Sequence, residues 1–452
     1  GCVVLMNRIL HRFGVPPTTR GLWIGLTFAN PVLLFHFVNG TAESLFTLFF
    51  LWAIQAALQM REAPERAVLG MGLAIGLALW VRYEALAIMG MSVIGFLLMA
   101  WAYRRQGAWR DISRFESLLV TLIFPCGFLL ALWLSFNYTA EGDALFFYRG
   151  PYSINAAPDV AKNAVDHALR YAYHSPIGAV GYVMERTLQI SFLFPLAAAA
   201  VAIVGIRLRR LEGTLLALLA VSTLLMQTYQ TYTGTIAPWL RYWVYLPIFT
   251  AILLGWLGQA YPFWLRGSQL AHAVRAGVIP ALFLLSNAIA FQTMGHAEVG
   301  ADEQLIVAVL AGDEERETNL RSNYPDREVL ERVQDLLKQT EGTILVDLQK
   351  AHPLITGFED TDRLIINTDR DFGSALDQPI GNADYILLPN PRGKGVELNR
   401  DAIYTRYPDL YEGTAWMELV EHFDGEYLDW RLYRVLDGET TEDRAAGLGT
   451  PR

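Results

Sequence analysis

Four ionisable residues stand in or beside apolar stretches that are long enough to form membrane helices. They are Glu43, Arg82, Glu84 and Arg241, and His36 lies near the first of them. A charge at such a position is costly, so it must pair, face water or serve a function. Two guanidinium groups suit a phosphate, because each gives paired, charge-assisted hydrogen bonds. These residues therefore predict a lipid-phosphate site in which Arg82 and Arg241 bind the phosphate.

The same residues also have a purely structural interpretation. Arg82 could pair with Glu84 or Glu43, and Arg241 could extend to the lipid headgroups. The sequence leaves both interpretations open.

The composition divides the chain into two parts. Of 452 residues, 53% are hydrophobic and 18% are charged, and the net charge is −9. Apolar runs dominate up to about residue 294, and acidic and basic residues are frequent from 298 onward. The acidic balance excludes a nucleic-acid partner, which would need a basic surface. Cys2 and Cys126 give neither a disulfide framework nor a zinc spacing, and we expect them to be small buried residues.

The apolar part predicts a polytopic α-helical bundle across residues 1–295. A membrane helix needs about 20 mostly apolar residues. The predicted spans are 20–38, 42–60, 67–81, 84–102, 116–136, 185–206, 213–232, 241–258 and 276–294, with a partial span at 1–10. Alternating these nine spans places the arginine-rich turns on one side, which should be cytoplasmic. The four ionisable residues and His36 then share the opposite, extracytoplasmic face.

The remaining segments have distinct predictions. Residues 137–182 form a long outer loop whose helical periodicity indicates amphipathic surface helices. Residues 296–437 predict a small extracytoplasmic α/β domain with helices near 326–337 and 400–407. Its short β-rich runs are 343–348, 363–367, 383–388, 416–423 and 430–435. Residues 438–452 should be a disordered tail.

Several short motifs together resemble the polytopic glycosyltransferases of the GT-C class, which include the protein mannosyltransferases and the aminoarabinose transferases. These motifs are Asn30-Pro31, residues 39–43 (NGTAE), 72–84 (GLAIGLALWVRYE), 137–138 (NY), 142–147 (GDALFF) and 239–242 (WLRY) before Pro247. The resemblance covers about residues 1–295. It implies a bundle of many membrane helices with surface helices on the outer side, in a bacterial inner or plasma membrane.

The resemblance also implies an activity. The donor would be a polyprenyl-phosphate sugar, the acceptor a glycan, a lipid or a protein, and transfer would invert the sugar carbon. Arg82 and Arg241 would stabilise the leaving lipid phosphate. Glu43 and Glu84 would orient them or hold a divalent metal such as Mg²⁺ or Mn²⁺.

Other residues would have smaller parts in this scheme. Tyr83, Tyr242 and His36 would support the phosphate site. In this family the catalytic carboxylate lies in the first outer loop, which would precede Gly1, so we expect the catalytic loop to be missing from this chain. Asp143 is a weak alternative candidate, because it also suits a simple turn.

Two other function classes remain open from the residues alone. A transporter or flippase for a lipid-linked or anionic substrate would also carry charges within apolar helices, although it would place them near the midplane and often show internal repeats. A non-enzymatic membrane anchor that presents the C-terminal domain to a partner is the third possibility.

Overall fold

The structure is a computed structural model of the 452-residue chain. It describes residues 1–105, 112–149, 167–236, 239–261, 273–296, 298–321, 327–348, 351–352, 358, 360–391, 401–425 and 429–436. These residues are mostly helical, with a small mixed sheet in the C-terminal region. The tail predicted to be disordered at 438–452 lies outside the described residues, as do residues 150–166 of the predicted outer loop.

Apolar helices make up most of the described part of residues 1–300. They are α1 (Cys2–Arg12), α2 (Pro17–Phe28), α3 (Pro31–Val38), α4 (Ala42–Leu58), α5 (Pro64–Val81), α6 (Ala85–Arg105), α7 (Ile112–Glu141), α8 (Phe146–Arg149), α9 (His167–Ala172), α10 (Pro176–Ser191), α11 (Phe194–Arg207), α12 (Leu211–Thr233), α13 (Leu246–Ala260) and α14 (Ile279–Met294). A 3₁₀ turn, Leu240–Trp243, precedes α13, and a π-helical turn, Val274–Val278, precedes α14.

Among the described residues, five helical segments are long and apolar enough to cross a membrane: Pro64–Val81, Ser113–Ala140, Leu211–Thr233, Leu240–Ala260 and Val274–Met294. The number rises to seven if each of two bent helix pairs is one span. Ala42–Leu58 and Ala85–Trp101 are shorter apolar helices. The chain therefore has the helices of a membrane protein, while the count of nine spans stays a prediction. Residues 137–141, predicted as the start of the outer loop, instead continue α7.

The spans predicted at 20–38 and 185–206 are bent rather than continuous. α2 and α3 meet at 72°, and α10 and α11 meet at 102°. Pro31 begins α3 and Pro195 lies in the first turn of α11. Proline has no backbone N–H and clashes with the preceding turn, so a helix breaks before it. This is the physical reason for both departures from the predicted spans.

Polar side chains on α14 satisfy backbone groups at both breaks. Asn287 donates to the carbonyl of Leu26 at 2.9 Å and accepts from the Asn30 amide at 3.1 Å. Ser286 donates to the carbonyl of Ile190 at 3.1 Å. Away from water an unpaired carbonyl costs several kcal/mol, so broken helices persist only where neighbours supply such donors. α14 therefore stabilises both bent pairs.

Gly72 and Gly76 let α5 approach α7 closely. A Cβ at Gly72 would overlap the backbone carbonyl of Leu122, and one at Gly76 would lie 3.1 Å from the Cα of Cys126. Small residues four apart bring membrane helices into direct backbone contact. This packing fixes the end of α5, where Arg82 follows.

We expect Gly72→Ala to lower the free energy of unfolding by about 1–3 kcal/mol, since the backbone of α7 cannot yield without moving the helix. Gly127→Ala on α7 is the matched control, because within the described part of the chain no atom beyond its own helix backbone and chain neighbours lies within 4 Å of its Cβ position. Thermal unfolding in detergent would measure both. Equal stability of the two variants would contradict the close packing of α5 and α7.

The chain forms two compact units. The first contains Gly1–Ser135 and Ala157–Val307, and the second contains Phe136–Ala156 and Ala308–Arg452. The division predicted at 295/296 falls before α15 (Ala301–Ala311), whereas the structure assigns the first part of this helix to the first unit. The sequence turns polar at 298, but Glu303 and Gln304 are buried.

A five-stranded mixed sheet forms the core of the second unit. Its strands are β1 (Ile344–Val346), β2 (Leu364–Ile366), β3 (Tyr385–Pro389), β4 (Met417–Phe423) and β5 (Trp430–Val435), in the order β2-β1-β3-β5-β4. β1 runs parallel to β2 and β3, and β5 runs antiparallel to β3 and β4. The small sheet predicted from the β-rich runs is confirmed.

Helices cover both faces of this sheet. The helices that follow α15 are α16 (Glu314–Arg321), α17 (Arg327–Gln339), α18 (Phe372–Asp377) and α19 (Ala402–Arg406). Val333 of α17 packs with Ile344 and Val346 on one face. Phe372 of α18 and Ile403 of α19 pack with Leu345, Ile365 and Ile386 on the other.

Candidate functional site

The four ionisable residues predicted to share one membrane face do meet in the structure. Glu43 lies in the first turn of α4, Arg82 directly follows α5, Glu84 directly precedes α6, and Arg241 lies in the 3₁₀ turn before α13. We call these four residues the rim cluster. Helix ends from distant parts of the sequence therefore bring together two carboxylates and two guanidinium groups.

Arg82 is saturated by the two carboxylates of the rim cluster. Its Nη1 donates to Glu43 Oε1, while its Nε and Nη2 donate to Glu84 Oε1 at 3.0 and 2.6 Å. Only 14% of the Arg82 side chain and 4% of each glutamate side chain is exposed. Buried charges must be paired and hydrogen-bonded in this way. The predicted structural pairing of Arg82 is thus present, and its guanidinium faces protein carboxylates on two sides.

Arg241 is the more accessible cation of the rim cluster. Its side chain is 36% exposed, and its Nε lies 3.8 Å from Glu43 Oε1, beyond hydrogen-bond distance. The guanidinium carbon stands 4.0 Å from the centre of the Trp239 ring, a cation–π geometry. The Trp239 indole orients the plane of the Arg241 guanidinium. The N–H groups of this guanidinium remain able to donate to an anion.

Tyr242 adjoins both guanidinium groups of the rim cluster. The Arg82 and Arg241 guanidinium carbons lie 5.2 and 5.6 Å from its ring centre. Its backbone carbonyl accepts a hydrogen bond from the Gln227 amide of α12, which also donates to the Tyr245 hydroxyl. Tyr83, predicted as a supporting residue, lies between Arg82 and Glu84 in the sequence. Its side chain packs against the apolar core.

His36 pairs with a residue that the sequence analysis did not select. His36 Nε2 lies 3.3 Å from Glu303 Oε1, and the two side chains are 6% and 3% exposed. The chain separation is 267 residues, and Glu303 belongs to a region whose composition indicates a soluble tail. The sequence signal that could have revealed it is the apolar run 305–311, which begins two residues after Glu303.

The His36–Glu303 pair adjoins Trp239. A Cβ at Gly300 would overlap Glu303 Oε2 and would lie 2.9 Å from Trp239 Cδ1. Gly300 therefore brings the chain before α15 against both groups. Trp239 in turn lies under the Arg241 guanidinium, so His36, Glu303 and the rim cluster form one continuous polar region of the first unit.

Arg186 is a second buried cation of the first unit, although its position beside Glu185 suggests an interfacial residue. Its side chain is almost fully buried, its Nη1 donates to Gln189 Oε1 at 3.0 Å, and its guanidinium carbon lies 5.2 Å from the Tyr182 ring centre. Glu298 Oε2 lies 3.9 Å from its Nη2. Glu185 is exposed, so the two neighbours face opposite environments.

Asp143, the weak catalytic candidate, lies in the second unit. Its Oδ1 accepts a hydrogen bond from the Leu145 backbone N–H at 2.9 Å, and its Oδ2 lies 4.0 Å from Arg149 Nη1. This is the geometry of an Asx turn before α8. The local structure thus matches the turn interpretation of Asp143.

Two groups of residues bear on the predicted divalent metal. The Glu43 and Glu84 carboxylates already accept hydrogen bonds from Arg82, so a cation between them would compete with the guanidinium. In the second unit, His422, Asp424 and Asp429 hold potential ligand atoms within 4.8 Å of one another. Exposed groups of this kind are common without an ion. The metal stays a prediction.

Comparison with protein-family models, with curated proteins and with solved structures found no match. The resemblance to GT-C glycosyltransferases therefore rests on the sequence motifs alone. What the geometry itself provides is a rim cluster of two carboxylates and two guanidinium groups, in which Arg241 is more exposed than Arg82, beside the buried His36–Glu303 pair.

Proposed function

We propose that this chain is a membrane glycosyltransferase of the GT-C type, which transfers a sugar from a polyprenyl-phosphate donor to an acceptor at the extracytoplasmic face of a bacterial plasma membrane. The observation that supports this proposal most is Arg241, a guanidinium oriented by Trp239 at the end of the helix bundle and still able to donate to an anion. A lipid phosphate is the anion available at that depth.

The proposed chemistry follows from where charge develops. The acceptor hydroxyl attacks the anomeric carbon, and the bond to the phosphate oxygen breaks. Negative charge grows on the leaving phosphate, so a fixed cation there stabilises the transition state more than the bound donor. Arg241 supplies this cation, and Arg82 holds Glu43 and Glu84 so that neither carboxylate moves against the phosphate.

We expect Arg241→Ala to weaken binding of citronellyl phosphate, a short polyprenyl phosphate, by about 10–100-fold, the worth of one charge-assisted contact of about 1.5–3 kcal/mol. Arg207→Ala is the matched control. Arg207 is exposed and lies at the end of α11, close to the start of α12. The rim cluster lies near the opposite end of α12, where Gln227 contacts Tyr242. Calorimetry on protein in nanodiscs would measure both affinities. Equal affinity of wild type and Arg241→Ala would contradict the assignment.

The proposed donor is tested with citronellyl-phosphate sugars that carry mannose, glucose or aminoarabinose. We expect at least one of these donors to displace citronellyl phosphate from the wild-type protein, and Arg241→Ala to weaken binding of that donor. Failure of every donor to displace citronellyl phosphate would contradict a polyprenyl-phosphate sugar as the substrate.

A second candidate function is transport of an anionic or lipid-linked substrate. The two bent helix pairs favour it, since transporters build their sites from interrupted membrane helices near the midplane. Asn30 and Asn287 would then line the substrate path. Asn287→Ala should reduce uptake into proteoliposomes if the chain is a transporter, and it should leave citronellyl phosphate affinity unchanged if the chain is a transferase.

A further inference from the structure

We propose that a groove between α1, α4 and α5 binds an anionic phospholipid, with the lipid phosphate at Arg8 and Arg66. We call these two residues the groove arginines. The site lies at the opposite end of α4 from the rim cluster, and it does not depend on glycosyl transfer. The bound lipid would be a lasting partner of the first unit and not a substrate.

The groove is a cavity of about 530 Å³ along three helices. α4 packs against both α1 and α5. Lining residues recur at intervals of three and four along α1 and α4, so each of these helices presents one face to the cavity. The residues that matter most are Val4 and Arg8 of α1, Leu48, Trp52 and Gln55 of α4, and Arg66 of α5.

α1 runs alongside α4 in the same direction. The Cys2 thiol at its start donates to the Ser44 carbonyl at 3.5 Å. At its end, Arg12 donates to the Leu58 carbonyl at 2.9 Å. Arg8 precedes Arg12 by one helical turn, and it therefore lies near the C-terminal end of α4.

α5 runs back along α4 and brings the second arginine to the same end. A Cβ at Gly70 would lie 3.3 Å from the Cβ of Ala56, which belongs to the last turn of α4. Arg66 precedes Gly70 by one turn, so it lies at or beyond the end of α4. Leu48 lines the other end of the groove, about 16 Å away along the helix axis. The groove is therefore basic at one end and apolar at the other.

The acidic residues near the basic end already have other partners. Glu62 pairs with Arg12, and Glu65 pairs with Arg114 at 2.8 Å. The groove arginines are exposed, and neither has an ion-pair partner in the described part of the chain. A lipid phosphate supplies the missing negative charge, and basic pockets between membrane helices are typical sites for anionic headgroups.

An amide lies one turn deeper in the groove. Gln55 lines the cavity, and its Oε1 is buried without a hydrogen-bond partner among the described residues. A hydrocarbon chain alone would leave this amide unpaired, which is costly. A phospholipid has its ester groups just below the phosphate, and rotation of the amide directs its nitrogen to an ester carbonyl. The amide thus fits the polar neck of a phospholipid.

Phosphatidylglycerol combines the features that this groove requires. Its phosphate carries a net negative charge for the groove arginines, whereas the phosphate of phosphatidylcholine is balanced by its own quaternary ammonium. Its ester region reaches Gln55, and one acyl chain lies along Trp52 and Leu48.

The experiment measures lipid binding to the full chain in a neutral detergent. Native mass spectrometry gives the affinities for dioleoyl phosphatidylglycerol and dioleoyl phosphatidylcholine, and thermal unfolding with and without lipid gives the stabilisation. The test variant is Arg8→Gln combined with Arg66→Gln. The control is Arg207→Gln combined with Arg210→Gln, which removes the same charge from two exposed arginines that do not line the groove.

We expect wild type to bind phosphatidylglycerol at least about tenfold more tightly than phosphatidylcholine. Loss of both groove arginines should weaken phosphatidylglycerol binding by about 10–30-fold, the effect of two basic residues at a lipid headgroup. The control pair should retain the wild-type affinity, and so should Arg241→Ala, because the rim cluster lies at the other end of α4.

A second pair of variants tests the apolar end of the groove. Val4 lines the groove and is 51% exposed, whereas the neighbouring Val3 is 48% exposed and is not among the lining residues. Val4→Trp should abolish most of the phosphatidylglycerol binding, because the indole fills the space of the acyl chain. Val3→Trp should bind as wild type does.

Four results would overturn the proposal. Equal affinity of wild type for the two lipids, or wild-type affinity after loss of the groove arginines, excludes recognition of the phosphate. Equal binding by Val4→Trp and Val3→Trp shows attraction to surface charge without a groove. Equal stabilisation by glycerol phosphate and by phosphatidylglycerol shows a site for a free anion. If a variant is less stable without lipid, its rise in unfolding temperature on adding phosphatidylglycerol decides, and a rise equal to that of wild type contradicts the site.

Discussion

Arg82→Met is expected to lower the free energy of unfolding by roughly 3–5 kcal/mol, the usual cost of removing one partner from a buried ion pair. The replacement leaves Glu43 and Glu84 buried, close together and without their cation. Unfolding in detergent, followed by circular dichroism, would measure the loss.

A triple variant separates lost charge pairing from lost packing. Arg82→Met combined with Glu43→Gln and Glu84→Gln removes the unpaired charges and should recover most of the stability, because residues of one network are not additive. If the single variant is as stable as wild type, Arg82 does not hold the two carboxylates. If the triple variant recovers nothing, the loss comes from packing alone.

The second unit should become less stable as the pH rises from about 4 to about 7. Burial raises the pKa of Asp401 from 3.8 to about 7, and repulsion from Asp347 adds to this, while hydrogen bonds from the Tyr404 and Ile403 backbones oppose it. The folded state therefore binds a proton that the unfolded state has already released in this range. Stability falls with rising pH wherever the folded state binds more protons, and it levels off above the folded-state pKa.

Asp401→Asn should remove this pH dependence. Its side-chain oxygen can still accept the Tyr404 N–H that Asp401 Oδ1 accepts at 2.8 Å, so the cap of α19 is retained. At pH 8 we expect the variant to stabilise the unit by on the order of 2–4 kcal/mol, and at pH 4 by little.

Hydrogen exchange of the β3 amides in the full chain, corrected for intrinsic rates, reports this stability at each pH. Asp409→Asn is the control, since Asp409 is exposed on the same segment. A wild-type unit equally stable at pH 5 and pH 8 would contradict the raised pKa of Asp401.

Local patterns predicted much of this structure. The β-rich runs at 383–388, 416–423 and 430–435 became β3, β4 and β5, because alternating apolar residues and bounding turns determine short strands locally. The grouping of Glu43, Arg82, Glu84 and Arg241 followed from alternating the spans, since helix ends on one side of a membrane lie at one depth. Their proposed roles stay predictions.

Other features depend on contacts that no local pattern encodes. The bend between α2 and α3 lies at Asn30-Pro31, a pair that the sequence analysis identified. Its stability also depends on the hydrogen bond from Asn30 to Asn287, which is distant in sequence. Glu303 is a surface residue by composition, but it is buried in the structure, where it lies 3.3 Å from His36. The sequence likewise did not distinguish the saturated Arg82 from the accessible Arg241.

The most direct test of the central claim is to map where a polyprenyl phosphate binds. A diazirine-bearing polyprenyl phosphate would be photo-cross-linked to the chain in nanodiscs, and the labelled peptides identified by mass spectrometry. We predict labelling of the segments around Arg82–Glu84 and Trp239–Tyr245, competition by citronellyl phosphate, and loss of labelling in Arg241→Ala. Labelling confined to the helix breaks near Asn30 and Ser191, or labelling that citronellyl phosphate does not reduce, would contradict a lipid-phosphate site at the rim cluster.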